Sequence, residues 1–382
     1  MSADSVQSKV AAVILKALEI AKNEGQLPCD VPSQLTLDRP KNRDHGDYAT
    51  SIALALSKSA NLQPGVIAKV IVKTLTDNKL LTPAGISKVD IAGPGFINIT
   101  LESASQGVVV TEILTGGKKF GTSNLLAGKK INLEFVSANP TGPLHLGHTR
   151  WAAVGDSLGR VLAAAGAQVS REFYVNDRGN QMDLFGASLR AAALGKPRPE
   201  DGYHGEYIED LAKEIVKSNP KFTELAESES ISAFTQAGYK LQLDQQRKVL
   251  DNFGTHFDTW FSERSLYEND FFNHSLDKLK KQGHVYEQEG AIWLRTTDFG
   301  DDKDRVMIKS DGTFAYFASD SAYYVSKKER GFNLCIYMLG ADHHGYVGRV
   351  KALAACAGDD PEKDVEVLIG QMVKIIEGGT EL

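Results

Sequence analysis

Apolar residues recur at helical spacing over residues 6–23, 48–59 and 64–77, which predicts three amphipathic helices, the third opened by Pro64 in the first turn. Residues 88–91 and 96–101 alternate apolar with polar side chains, the period of a strand, around the turn Ala92-Gly93-Pro94-Gly95. A further helix over 108–114 closes a small α+β unit spanning 1–115. The Gly- and Lys-rich stretch 116–130 lacks apolar periodicity and reads as a linker. Beyond it the pattern changes: residues 131–136 alternate as a strand, Asn139-Pro140-Thr141-Gly142-Pro143 forces a turn, and an Ala-rich helix covers 149–165 with Trp151, Val154, Leu158, Val161 and Leu162 on its apolar face. Residues 169–175 form the next strand. Strand, helix, strand predicts a parallel sheet with a right-handed crossover, the start of a doubly wound α/β fold.

Residues 197–251 are polar and helical, with Glu209, Asp210, Lys213, Glu214 and Lys217 on a solvated face, and read as an insertion reaching to about 300. The stretch 257–263 is an apolar anchor ending in the acid Glu263. Residues 291–295, 306–308 and 313–316 read as short β segments. The near-continuous apolar run 334–340 predicts a strand buried on both faces. On such sheets ligands lie at the carboxyl ends of the strands, where Asn139, Asn176 and Ala341-Asp342-His343-His344 fall.

Composition narrows the reading only a little. The 382 residues carry a net charge of −6, which argues against a general nucleic-acid-coating surface but leaves room for a local basic patch. Three widely spaced cysteines, Cys29, Cys335 and Cys356, show no metal-ligand pattern and suit a reducing cytoplasm. No apolar run approaches membrane-spanning length, and a cytoplasmic protein without a membrane partner is expected.

The chemistry concentrates at the turn. His145 and His148, three apart, share a face if the helix starts near Leu144, and Gly147 between them leaves room for a flat ring. Two imidazoles at a helix N-terminus form a donor array for negative charge growing on a phosphate as pyrophosphate departs. The plain alternative is a surface turn whose histidines only cap the helix. Asp342, His343 and His344 invite a metal site, but no third and fourth ligand falls at fitting spacing, so no protein-bound metal is expected.

The run from Glu134 to His148 resembles the first signature, His-x-Gly-His, of the class I aminoacyl-tRNA synthetases. Its flank, Glu134-Phe135-Val136-Ser137-Ala138-Asn139-Pro140-Thr141-Gly142-Pro143, is similar to bacterial arginyl-tRNA synthetases in particular. Arg43 to Tyr48, Gly93 to Asn98 and Asn176 to Gln181 also resemble that family, so the likeness runs over almost the whole chain. It implies a Rossmann-like class I core over 131–382 preceded by an added tRNA-contacting domain; by residue type alone, Lys41, Arg43 and His45 there suit phosphate contacts and a solvated loop equally. It implies ATP, with Mg2+ on its phosphates, held by Pro143, Leu144, His145, Gly147, His148, Gly340, Asp342 and His343, with His145 and His148 catalytic. It implies an L-arginine pocket at Glu134, Ser137, Asn139, Glu263, Tyr316 and Asp320, with arginine tRNA as the other partner and a monomer as the working form. A guanidinium is best held by carboxylates and an aromatic or hydroxyl group. Tyr316 and Asp320, four apart, share a face if the chain is helical from Ala315.

Two departures stand out. Gly142 occupies a position where some arginyl-tRNA synthetases carry lysine, and residues 376–382 resemble those just before the second signature, Lys-Met-Ser-Lys. A fragment with little or no aminoacylation is therefore expected. A stand-alone nucleotidyltransferase sharing the short signature, and a non-catalytic synthetase-like module binding RNA or a partner, remain alternatives.

Overall fold

The computed structural model describes residues 6–268, 270–343, 345–371, 373, 374 and 376–381. It divides into two compact units, Met1–Ser123 and Asn124–Leu382.

In the first unit, helices α1 (Val6–Asn23), α2 (Ile52–Ala60), α3 (Pro64–Asp77) and α4 (Ser103–Gly116) accompany a three-stranded antiparallel sheet of order β1-β3-β2, with β1 at Tyr48–Thr50, β2 at Ile86–Ala92 and β3 at Phe96–Leu101. Its core is aliphatic: Val10, Ile14 and Leu18 of α1 meet Ile67 and Ile71 of α3 and Ile97 and Ile99 of β3. The helix expected over 48–59 starts only at Ile52. Tyr48, Ala49 and Thr50 instead pair with Ile99, Asn98 and Ile97, because an open edge of β3 competes for a segment whose Tyr and Thr suit a strand.

The second unit is built on a five-stranded parallel sheet of order β11-β10-β4-β5-β6. Its strands are β4 (Lys130–Glu134), β5 (Gln168–Val175), β6 (Thr259–Ser262), β10 (Leu334–Gly340) and β11 (Val365–Gly370). The chain moves outward from β4 through β5 to β6, returns to the far side of β4 at β10, and ends at β11. The order reverses between β4 and β10, so the helices leaving these two strands diverge and open a crevice at their carboxyl ends. Ile131 and Leu133 on one face of β4 are fully buried with Ile336 and Met338 of β10. Helix α5 (Leu146–Ala164) follows β4 and α12 (Tyr346–Cys356) follows β10.

Helices α6 (Asn180–Ala193), α7 (Glu206–Ser218) and α8 (Glu227–Phe253) lie between β5 and β6. The polar face expected over 197–251 is real, but it is only half of the pattern. Ile208, Leu211 and Ile215 of α7 pack with Phe185 and Leu189 of α6 and Phe234 of α8, and Leu243 and Leu250 at the other end of α8 join Phe173 and Val175 of β5. Next come α9 (Arg264–Glu268), α10 (Phe271–Lys281) and a small antiparallel sheet of β7 (Val285–Gln288), β8 (Ala291–Leu294) and β9 (Arg305–Ile308). The segment expected as a strand over 313–316 is not one: it contributes a single bridge, Ile308 to Phe314, before α11 (Tyr316–Glu329) begins. The short hairpin β12 (Ile376–Glu377) and β13 (Thr380–Glu381) closes the described chain.

The stretch expected as a linker over 116–130 is only partly one. The Leu126 amide donates to Ala165 O at 2.9 Å, and its side chain packs against the β4 core.

Candidate active site

A cavity of about 640 Å³ opens at the carboxyl ends of β4 and β10. Glu134, Ser137, Asn139, His145, Gly147, His148, Asp320, Gly340 and His343 all line it, so nine of the positions singled out in the sequence converge there. Pro143 and Leu144 do not line it, and Leu144 faces a neighbouring apolar groove instead. The Asp342 side chain and His344 lie outside the described residues. Among the described residues no group of three His, Cys, Asp or Glu side chains is arranged to hold a metal ion.

The wall nearest α5 starts with a strained backbone. Val136 and Ser137 adopt φ of +67° and +42°, a left-handed region that costs non-glycine residues on the order of 1–3 kcal/mol. The kink ends β4 two residues earlier than its alternation predicts. It is held by Ser137, whose amide donates to Phe135 O at 2.9 Å and whose Oγ accepts the Tyr174 amide at 3.1 Å. The chain then passes through the double-proline turn, where Asn139 Oδ1 accepts from Asn176 Nδ2 at 3.4 Å.

Helix α5 starts at Leu146, two residues later than the shared-face condition supposes, with His145 as its N-cap. The two histidines close a reciprocal cap. His145 Nδ1 accepts the Gly147 amide at 3.1 Å, and the His145 amide donates to His148 Nδ1 at 3.1 Å. Their ring centroids lie 3.9 Å apart. A Cβ on Gly147 would sit 2.8 Å from His145 Cε1, so the ring rests on bare backbone. Burial first, and the neighbouring His145 second, push the His148 pKa down to about 4. A neutral histidine whose Nδ1 accepts carries its proton on Nε2, so His148 at pH 7 is an uncharged donor through Nε2.

The opposite wall is acidic. Glu134, Glu263 and Asp320 all interact with the Tyr174 hydroxyl region. Burial, then the charges of Glu263 and Glu134, push the Asp320 pKa up to about 7 despite a hydrogen bond from Tyr346 and the nearby Arg349. Glu263 does not line the cavity. Burial raises its pKa against hydrogen bonds from Ser319 and Tyr174. Glu134 is already answered: Lys327, fully buried between the Tyr323 and Tyr337 rings at 4.2 and 3.8 Å, donates to its Oε2 at 2.6 Å. Beneath it, Glu172 is fully buried and accepts from Tyr323 at 2.6 Å and Arg330 Nη2 at 3.0 Å.

Tyr316 differs from expectation. It shares a helix with Asp320, as the spacing requires, but it is the first residue of α11 and is 93% exposed, outside the cavity lining. Four residues are about 6 Å of helix, and the cavity reaches only the second turn. Sequence reasoning also passed over Tyr174, Lys327 and Glu172. Each supports the site from a strand or helix far along the chain, and no local pattern marks them.

A parallel sheet with its crevice at the switch point, a histidine-capped helix following the first strand, and an acidic opposite wall together define a nucleotide-binding α/β catalytic core. Residues 109–377 match the family model described as tRNA synthetases class I (R), catalytic domain, and residues 5–101 match that of the arginyl tRNA synthetase N terminal domain. The chain belongs to the class I tRNA synthetases of this arginyl type. It is similar to an arginine–tRNA ligase of Renibacterium salmoninarum, 51% identical over 96% of this chain and 66% of that protein. Another, from Paenarthrobacter aurescens, is 49% identical over the same shares. The arginyl-tRNA synthetase structure from Thermus thermophilus shares the fold at a TM-score of 0.64 and 20% identity, over 96% of this chain and 65% of that one. The chain thus spans about two thirds of the length of the curated relatives it matches.

Proposed function

We propose that this chain carries the amino-acid activation site of an arginine–tRNA ligase, joining L-arginine to AMP at the expense of ATP before transfer to the 3′ end of arginine tRNA. The observation that carries the reading is one cavity with a stacked histidine pair, His148 uncharged, at a helix N-terminus on one wall and Asp320, backed by Glu263, on the other.

In this reading the guanidinium sits against Asp320, with Asn139 and Ser137 oriented toward the α-amino end and Glu134 a structural carboxylate kept in place by Lys327. ATP lies toward Gly340, His343 and Gly147, and Mg2+ enters on its phosphates as part of the substrate. The arginine carboxylate attacks the α-phosphorus in line. One phosphorus–oxygen bond forms to the carboxylate as the bond to pyrophosphate breaks, and no protein nucleophile takes part. His145 and His148 donate to the oxygens where charge accumulates, and the positive end of α5 adds to the same field. The protein works in the cytoplasm, and Lys41, Arg43 and His45 belong to the tRNA-facing part of the first unit. Among the described residues no helix is long and apolar enough to cross a membrane.

Calorimetric titration with a non-hydrolysable arginyl-adenylate analogue, with glutamyl and cysteinyl analogues as controls, tests the proposal. Binding confined to the arginyl compound supports it. Equal or absent binding of all three rejects it.

A further inference from the structure

The turn between β4 and α5 is held in an unusual way. Pro140 and Pro143 have no amide hydrogen to give. Among the described residues, no well-formed backbone-to-backbone hydrogen bond ties any residue from Ala138 to Leu144 beyond the tight turn at Pro140–Thr141. Yet this turn joins Asn139, in the cavity lining, to the His145 cap, and an untethered turn would leave the two to drift relative to each other.

Firmer tethers come from the helical insertion. Gln246 of α8, 1% exposed, aims its amide nitrogen at two turn carbonyls, Asn139 O at 2.9 Å and Gly142 O at 2.8 Å. Tyr207 of α7 donates its hydroxyl to the carbonyl between them, Thr141 O, at 2.9 Å. Both partners of Gln246 are pure acceptors, so only the amide NH₂ serves there and its orientation is unambiguous. The Gln246 Oε1 is buried without a partner. That cost is accepted for two donor contacts at one place. Leu243 and Leu250, three residues before and four after Gln246 in α8, pack into the core beneath the turn, so the donor rests on a fixed helix.

The geometry points to Gln246 as a positioning residue for the adenylate site, a buried amide clamp by which the insertion sets the spacing between Asn139 and the histidine pair. Tyr207 is its weaker companion. The inference rests on the function proposed above and adds to it a role for the insertion: it shapes the site from behind rather than only decorating it.

The test uses this chain and the arginyl-adenylate analogue, with affinity followed from pH 5.5 to 8. Gln246→Met keeps length and loses both donors, and Gln246→Glu keeps shape but donates only when protonated. Both are expected to weaken the analogue by at least about tenfold near pH 8. Measured against the unaltered chain at each pH, the loss in Gln246→Glu shrinks toward pH 5.5, whereas the loss in Gln246→Met does not. Tyr207→Phe, which leaves the fold's packing intact, loses about threefold. A Gln246→Glu loss of the same size at every pH would assign the effect to packing and overturn the clamp, as would unchanged affinity in Gln246→Glu and Tyr207→Phe. Should the unaltered chain not bind the analogue at all, the functional reading fails but the clamp is still tested by amide hydrogen exchange. The Gly147 and His148 amides are expected to exchange faster in Gln246→Met, with β10 unchanged, and equal exchange at those two amides rejects the clamp.

Discussion

The two walls of the cavity meet the same physical force with opposite results. On the α5 side, burial pushes the His148 pKa down to about 4, leaving an uncharged donor. On the α11 side, burial and two neighbouring carboxylates push Asp320 up to about 7. Desolvation disfavours charge of either sign, so it neutralises the base and stores an unmet demand for a cation beside the acid. The contrast suits the ligands proposed above: a guanidinium would find its counter-charge on one wall, and a phosphate would find donors on the other that do not compete for it.

The largest expected effect comes from breaking the histidine wall. In a version of the chain extended to the length of its relatives, His145→Ala is expected to slow arginine-dependent pyrophosphate exchange by about 10²–10³-fold, the loss typical of one preorganised donor. An unchanged rate would remove His145 from the chemistry. On the acid wall, Asp320→Asn is expected to weaken the arginyl-adenylate analogue by about 100-fold, as loss of one partner in a buried charged pair does. The same change is expected to raise the thermal midpoint at pH 8, because the unliganded fold no longer holds a poorly solvated carboxylate.

The pH dependence separates the walls further. Asp320 is largely protonated in the free protein below about pH 7, and guanidinium binding requires the carboxylate. Arginine affinity is therefore expected to rise by up to about tenfold per unit as pH increases toward 7 and to level off above it, a slope that calorimetry should find missing in Asp320→Asn. The linkage to folding has the opposite sense. A carboxyl raised in the folded state contributes stability below its unfolded pKa near 3.8, and that contribution is lost as pH rises through about 7. Acidifying from pH 7.5 to 5 should thus stabilise the unaltered chain relative to Asp320→Asn in urea titrations.

The smallest effect probes fit rather than charge. Gly147→Ala places a Cβ against the His145 ring, which must shift. A loss of about tenfold in the same exchange assay is expected, well short of removing the imidazole. A loss as large as that of His145→Ala would mean that the glycine itself contacts the substrate.

Much of the fold was legible along the chain. Helices α1 and α3 and strand β3 carry their periods in consecutive residues, and the helix–strand alternation after Lys130 announces a parallel sheet. The misreadings share a cause. Tyr48–Thr50 becomes a strand only because β3 offers an edge. Residues 313–316 fail to become one because the chain must turn into α11. The half-polar α8 reads as a solvated insertion until its second half is found packed on β5. In each case a partner distant in sequence outweighs a local preference worth at most about 1 kcal/mol.

For the site the division is similar. The end of β4, the proline turn, the His-x-Gly-His cap and the acid at 320 could be read along the chain, because each of these is a local demand of backbone and side chain. It took the folded assembly to pair Lys327 with Glu134, to leave Tyr316 in solvent, to raise the Asp320 pKa to about 7 and to bring Gln246 back to the turn. Those outcomes depend on burial and on charges brought together across more than a hundred residues, and electrostatic energy in a low-dielectric interior is set by that assembly rather than by neighbours along the chain.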